Sequence, residues 1–306
     1  MKICIINHNN KKNDISKGHR TKSISAEAFK KGYSVDIIDS YDLVFSFDEN
    51  SSLSISTIQG NSLLDYDAYI IYSVGIIEDK KANIEKVVIA DYLIFHNKLV
   101  FNYSAVISSV YKSKLLDFYK MQKLGVPIIK TFYVEDHKDI ESIKKIIKDN
   151  DYMFPLILKP VNGTQGRDIY KVQNIDEIEN LIISKKNKSF MIQEYIPIIH
   201  DLRTIVFSGE ILGSIDKIPM NGDFRGNISQ GAKAVEYKLS DELKAISLMV
   251  ANSSGSVISG VDICISNNSY FILEVNDNPE FKGFANCLNI NVPQIILNYL
   301  EKFQIN

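Results

Sequence analysis

This 306-residue chain is short of cysteine, has no surplus of either charge and carries no long apolar run, and each shortage narrows what it can be. Its three cysteines, Cys4, Cys264 and Cys287, are too few and too scattered for a disulfide framework or a zinc site. They are expected to be small buried hydrophobes in a reducing compartment. Lysine plus arginine total 35 against 37 aspartate plus glutamate, a net charge of -2, which gives a polyanion no basic face and argues against a nucleic-acid partner. The lysine-rich pieces "KKIIKDN" and "SKKNKSF" are interrupted and read as solvated helix faces and turns. No window nears the roughly 18 apolar residues of a membrane span. The opening "MKICIINHNN" turns polar too soon for a signal peptide, so a cytoplasmic protein without a membrane partner is expected.

What the chain does have is 45% hydrophobic residues, enough for a substantial core, in a length suited to about two domains or one elaborate enzyme. The opening reads as βαβ: strand "KICIIN", a helical pattern over 20–31, a stop at Lys31-Gly32, then strand "YSVDIID". That alternation favours an open parallel sheet, to which "DAYIIYSVG" adds a strand and "IEKVVIADYLIFHNK" a helix. The character changes near residue 98, where "KSKLLDFYKMQKLGVP" follows as an amphipathic helix closed by glycine and proline. A small α+β segment then runs to residue 190, with two strands around "NGTQG" and a helix at "NIDEIENLIIS". From residue 191 strands come in hairpin order: "MIQEYI", "LRTIVFSG", "EILGSIDKI", a helix over 240–253, "GVDICIS" and "YFILEVND", with a closing helix "VPQIILNYLEKF". The expected units are therefore 1–97, 98–190 and 191–306, of mixed α/β and α+β class.

Chemistry concentrates in the second half. If Asn267, Asn268 and Ser269 form a three-residue turn, Asp262 lies opposite Glu274, with Asn276 two residues on and on the same face. Facing carboxylates need a cation between them or a shared proton, and an Asp/Glu/Asn oxygen set suits Mg2+. A loop one residue longer or shorter would instead turn one carboxylate to solvent. The glycine pair Gly163 and Gly166, after Lys159, can bring backbone N–H groups to an anion, or can be a plain hairpin turn. Arg203 sits on an apolar strand and Arg225 in the glycine-rich "GDFRGNISQGA". Either is a partner for a carboxylate or a fork for phosphate or carboxylate oxygens.

Taken in order, lysine, glycine loop, "QEYI", D-x-R, "GDFRGN", "GVDI" and E-V-N-x-x-P resemble the ATP-grasp ligases, most closely the RimK-like branch, from about Tyr111 to the C-terminus. The resemblance implies a pre-ATP-grasp βαβ domain followed by a two-subdomain ATP-grasp fold, and transfer of the γ-phosphoryl group of ATP to a carboxylate that an amine then attacks. It implies Lys114 and Lys159 at the nucleotide, a hairpin of Gly163, Thr164, Gln165 and Gly166 over the phosphates, Glu194, Tyr195 and Ile196 at the adenine, and Asp201 at the ribose. Asp262, Glu274 and Asn276 match the ligands of two Mg2+ ions, for which Mn2+ can substitute, and Arg203, Arg225 and Asn227 match the groups facing the transferring phosphoryl.

The co-substrates implied are an amino acid, a peptide or a protein terminus, and a homo-oligomer is compatible with the family. A regulatory protein that binds ATP without turnover is the contrasting reading. The chain departs from the family pattern at Gln230, Gly231 and Ala232, at Arg167-Asp168, and at Glu280, where the family has glycine after N-x-x-P. Loss of positive charge at Gln230 puts a dicarboxylate such as glutamate in doubt.

Overall fold

The computed structural model describes residues 1–7, 18–50, 52–72, 80–111, 113–134, 140–161, 168–185, 189–219, 233–267 and 269–304. Strand β1 (Lys2–Asn7) is buried along nearly its whole length, as a parallel strand covered on both faces must be. Helix α1 (His19–Lys30) ends before Gly32, whose φ of +75° only glycine adopts at little cost, and β2 (Ser34–Asp39) returns parallel to β1. A ribbon of β3 (Leu43–Phe47) and β4 (Leu53–Thr57) follows. The hydrophobic pattern does not announce it, because Val44 and Phe47 face solvent. Then come β5 (Ala68–Ile71), α2 (Lys80–Phe95), β6 (Leu99–Phe101) and α3 (Tyr103–Ser108). The first sheet is parallel throughout, in the order β2-β1-β5-β6. It therefore claims a strand beyond the border expected at residue 97.

Helix α4 (Lys114–Lys123) closes on Gly125 at φ +68°, as its glycine-proline ending predicts. The middle unit comprises β7 (Thr131–Tyr133), α5 (Ile140–Asp149), β8 (Leu156–Pro160), β9 (Tyr170–Val172), α6 (Ile175–Ser184) and β10 (Phe190–Glu194). Asn174 caps α6 by accepting Glu177 N–H, while the Glu177 carboxylate accepts the N–H of Gln173, the residue before the cap. The sheet runs β7-β10-β8-β9, antiparallel. Ile143, Ile178 and Ile182 bury one face of it against Leu156, Leu158, Phe190 and Ile192. Because β10 pairs with both β7 and β8, residues 191–194 belong here, past the border expected at 190. Apolar alternation identifies a strand but not its partner.

The last unit holds β11 (His200–Phe207), β12 (Glu210–Ile218), β13 (Lys233–Glu236), α7 (Asp241–Asn252), β14 (Ile258–Ser266), β15 (Ser269–Asn276), α8 (Lys282–Leu288) and α9 (Val292–Gln304). Its antiparallel sheet is ordered β13-β12-β11-β14-β15. One face packs Leu202, Val206, Val261 and Ile263 against Leu243 and Val250 of α7. On the other face Ile205 and Ile215 join Phe284, Ile296 and the first sheet's Ile3 and Ile5 in one core. Cys4 and Cys264 are buried and Cys287 is half-buried. Among the described residues no helix is long and apolar enough to cross a membrane.

The chain leaving β15 is tied to the first unit. Asn102 donates to the Asp277 carbonyl (2.6 Å) and accepts from Val257 N–H (2.8 Å), and Ser108 donates to the Asp277 carboxylate (2.9 Å). Asn102 also holds a left-handed φ of +57°, which asparagine tolerates better than most residues. Asn102→Ala removes both hydrogen bonds and should lower stability by about 1–3 kcal/mol, read as a shifted urea midpoint. An unmoved midpoint would mean that this tie contributes nothing.

Candidate active site

The site begins with strand register. Pairing of β11 with β14 sets Arg203 opposite Asp262, and pairing of β14 with β15 sets Asp262 opposite Glu274 and Gly260 opposite Asn276. The turn differs from the three-residue loop expected: Ser269 is paired with Ser266, and Asn267 takes φ +47° in a two-residue connection. That shorter turn alone would put the carboxylates out of register. A bulge between Asp262 and Ile263, where Leu273 is the extra residue on β15, shifts the pairing by one and restores the Asp262–Glu274 opposition.

The polar residues lie on the face that carries Ile205 and Ile215 further along the sheet. Arg203 grips Asp262 with both arms of its fork, Nε to Oδ1 at 2.9 Å and Nη2 to Oδ2 at 2.6 Å. Lys217 Nζ lies 3.3 Å from Asp262 Oδ1 and 2.7 Å from Asp201 Oδ1. All four side chains are largely buried. Burial pushes the Asp262 carboxyl up, but Arg203 and Lys217 outweigh it and hold the group well below the usual carboxylate range. Burial dominates at Asp201, which is raised to about 6 by desolvation and the nearby Asp262 charge in spite of Lys217. Burial would lower Lys217, yet Asp262 and Asp201 together keep it above its ordinary value.

Protein cations, then, stand on Asp262 where the sequence pointed to a metal ion or a shared proton. Asp201, expected at a ribose, is buried against Lys217. Lys217 itself is absent from the residues the motifs single out. Its signal is nonetheless present in "EILGSIDKI", since a lysine inside an apolar strand calls for a buried partner just as Arg203 does.

Across from this sheet stands Lys159 on β8, buried, with Nζ 4.6 Å from the Phe118 ring centroid. Burial first, then the Lys114 charge, lower the Lys159 ammonium to about 8, while Glu274 pulls it upward. The same field therefore joins Lys114, Lys159 and Glu274. Lys114 opens α4 and its backbone N–H reaches the Val161 carbonyl (3.2 Å). Glu194 ends β10 with its carboxylate 3.5 Å from Lys130, and Lys171 Nζ lies 3.6 Å over the Tyr195 ring. Ile196 follows, half-buried. Gly163, Thr164, Gln165, Gly166, Arg225 and Asn227 lie outside the described residues.

Two antiparallel α+β units facing each other behind a parallel sheet define the ATP-grasp class of fold. The chain superimposes on the ATP-grasp ligase PsnB, whose structure holds a phosphomimetic variant of a minimal precursor, Mg and ADP, with a TM-score of 0.72 over 99% of this chain and 98% of that one, at 18% identity. Residues 111–300 match the RimK-like ATP-grasp domain, and the chain belongs to that family. It is similar to a probable alpha-L-glutamate ligase of Legionella pneumophila, 28% identical over 195 residues covering 62% of this chain and 63% of that protein. The chain thus spans under two thirds of that relative's length. A probable alpha-L-glutamate ligase of Saccharophagus degradans aligns over 92% of this chain and 91% of its own length at 26% identity.

Removing Lys217 tests the electrostatics directly. Lys217→Met leaves Asp201 and Asp262 buried near each other with one cation fewer, and should cost about 3–5 kcal/mol in urea unfolding. A loss below 1 kcal/mol would show that Arg203 alone neutralises the cluster.

Proposed function

We propose that this chain is an ATP-dependent, ADP-forming carboxylate–amine ligase acting on an amino acid or peptide. The observation that carries this reading is the Arg203–Asp262–Lys217 cluster with Glu274 opposite it, Glu274 lying within the electrostatic reach of Lys159, which in turn feels Lys114. Family membership gives it context. ATP would lie between the two antiparallel sheets, with Lys159 and Lys114 on its phosphates and the Glu194–Ile196 segment at its base. A substrate carboxylate would attack the γ-phosphorus, release ADP and leave an acyl phosphate, which the amine then converts to an amide with loss of phosphate. Negative charge gathers on oxygen throughout, so fixed cations contribute more than a protein nucleophile would.

Among the described residues no group of three or more His, Cys, Asp or Glu is placed to hold a metal unaided. Two carboxylates and an amide, Asp262, Glu274 and Asn276, are nevertheless the sparse oxygen set that suits Mg2+, which draws its other ligands from waters and phosphates. Glu274 and Asn276 would be its principal protein ligands, since Asp262 is already engaged by Arg203. Bound there, Mg2+ supplies charge neutralisation to the phosphates. Arg203, held by Asp262, presents its guanidinium without reorganisation.

Two outcomes check the reading. With the correct acid and ATP, but no amine, hydroxylamine should trap a hydroxamate, and Glu274→Gln should abolish it along with ADP release. ATP binding without hydroxamate from a broad panel of acids would favour a non-catalytic nucleotide binder.

Lys159 gives a pH signature. Because its ammonium titrates near about 8 in the free protein, phosphates that raise it should make binding of AMPPNP take up a proton at pH 8.5. Below pH 7 the lysine is already charged and uptake should vanish. Calorimetry in two buffers of different ionisation heat measures this, and unchanged uptake in Lys159→Met would refute the assignment.

A further inference from the structure

One departure from the family pattern, Glu280, has no part in the reaction described above. It ends a segment, Asp277 to Glu280, that crosses the carboxyl edge of the first sheet. In the order β2-β1-β5-β6 the chain departs from β1 in both directions, so the crevice beyond β1 and β5 is the sheet's switch point, where open parallel sheets take ligands. His19 and Arg20 of α1 stand on one side of it and Tyr72, just past β5, on another. The Tyr72 hydroxyl is buried and has no hydrogen-bond partner among the described residues.

The segment is held rigidly. Arg20 Nη1 donates to Asn278 Oδ1 (2.6 Å) and to the Asn278 carbonyl (3.2 Å), and its guanidinium lies 4.5 Å over the Tyr72 ring. Asn102 and Ser108 fix Asp277. Pro279 rests on Gly260 so closely that a Cβ there would come within 2.9 Å of the proline. Glu280 itself is looser. Its side chain is 54% exposed, it accepts only a long bond from Lys282 N–H (3.4 Å) among the described residues, and its oxygens pair at 3.7 Å with Arg20 Nε and 3.8 Å with His19 Nδ1, beyond hydrogen-bond reach. Arg20 keeps its charge while bonded to the neutral Asn278, so it anchors the backbone beneath Glu280 and also offsets part of the charge of this half-exposed carboxylate. The result is a solvent-facing carboxylate on a braced turn, four residues past Asn276.

We propose that Glu280 is a specificity-determining residue that attracts a cationic group on the amine-bearing co-substrate and disfavours a second carboxylate there. The inference rests on the ligase reading. A carboxylate on a pre-ordered backbone loses little entropy on pairing, and a like charge brought beside it is repelled. The chemical class selected is an amino acid or peptide terminus with a basic side group, in contrast to a dicarboxylate.

The test is binding of L-lysine and of L-glutamate, in separate titrations, to the protein saturated with Mg2+ and AMPPNP. L-lysine should bind at least about tenfold more tightly than L-glutamate, Glu280→Gln should bring the two within about threefold, and Glu280→Arg should reverse the order. Glu280→Gly provides a second uncharged variant, and thermal midpoints check folding. Equal binding of the two probes to the wild type, no binding of either, or a preference unmoved by Glu280→Gln would overturn the proposal. Failure of the wild type to bind AMPPNP, or to form any hydroxamate, would instead sink the ligase reading on which it rests.

Discussion

The fork of Arg203 on Asp262 is the interaction around which the last sheet is arranged. A guanidinium and a carboxylate this far from water are tolerable only as a pair, since either one alone would face a desolvation cost of several kcal/mol. Pairing demands that β11 and β14 align with these two residues opposite, and they do. Lys217 on β12 and Asp201 on β11 extend the pair into a cluster across three strands. The same face carries Glu274, set opposite Asp262 by the turn and bulge of β14–β15, Asn276 opposite Gly260, and the apolar Ile205 and Ile215 further along in the shared core. The polar end and the packed end of one sheet face are thereby fixed together.

This arrangement depends on the first unit as well. The parallel sheet presents its carboxyl edge to the segment that follows β15, and Arg20, Asn102 and Ser108 each hold a different point of it. The Asn276 side-chain oxygen accepts Asn278 N–H (3.1 Å), so a shift at Asn278 would be felt at a candidate metal ligand. Gly260 belongs to the same logic, because only the absence of a Cβ lets Pro279 lie against β14. The crevice that other doubly wound sheets keep for a ligand is here partly filled by the protein's own chain.

How much of this could be read from residues alone varied with the physics. The βαβ opening, the α4 stop at Gly125 and the hairpin of β14 and β15 are local, and apolar period and turn residues suffice for them. The β3–β4 ribbon, β13 and the membership of β6 and β10 depend on contacts between distant segments, which period does not encode. The opposition of Asp262 and Glu274 was legible for an instructive reason. A turn shorter by one and a bulge of one offset each other, so the inferred pair is right while the inferred loop is not. Lys217 escaped because no motif marks it, although the cost of burying a lone ammonium was available as a warning.

Charge balance explains how the two sheets hold their buried charges. Asp262 is neutralised by Arg203 and Lys217, whereas Lys159 has no carboxylate at hydrogen-bond distance among the described interactions and answers burial by a lowered affinity for its proton. The two sheets thus resolve the same problem differently, one with an internal counter-ion and the other by weakening its own charge. A polyanion placed between them would leave the first arrangement in force and reverse the second, because phosphates supply Lys159 with the opposite charge that Lys114 denies it. On the proposed reading, the sheet with the paired cluster would act as a fixed electrostatic template, and above about pH 8 the sheet bearing Lys159 would regain its charge when the anion binds.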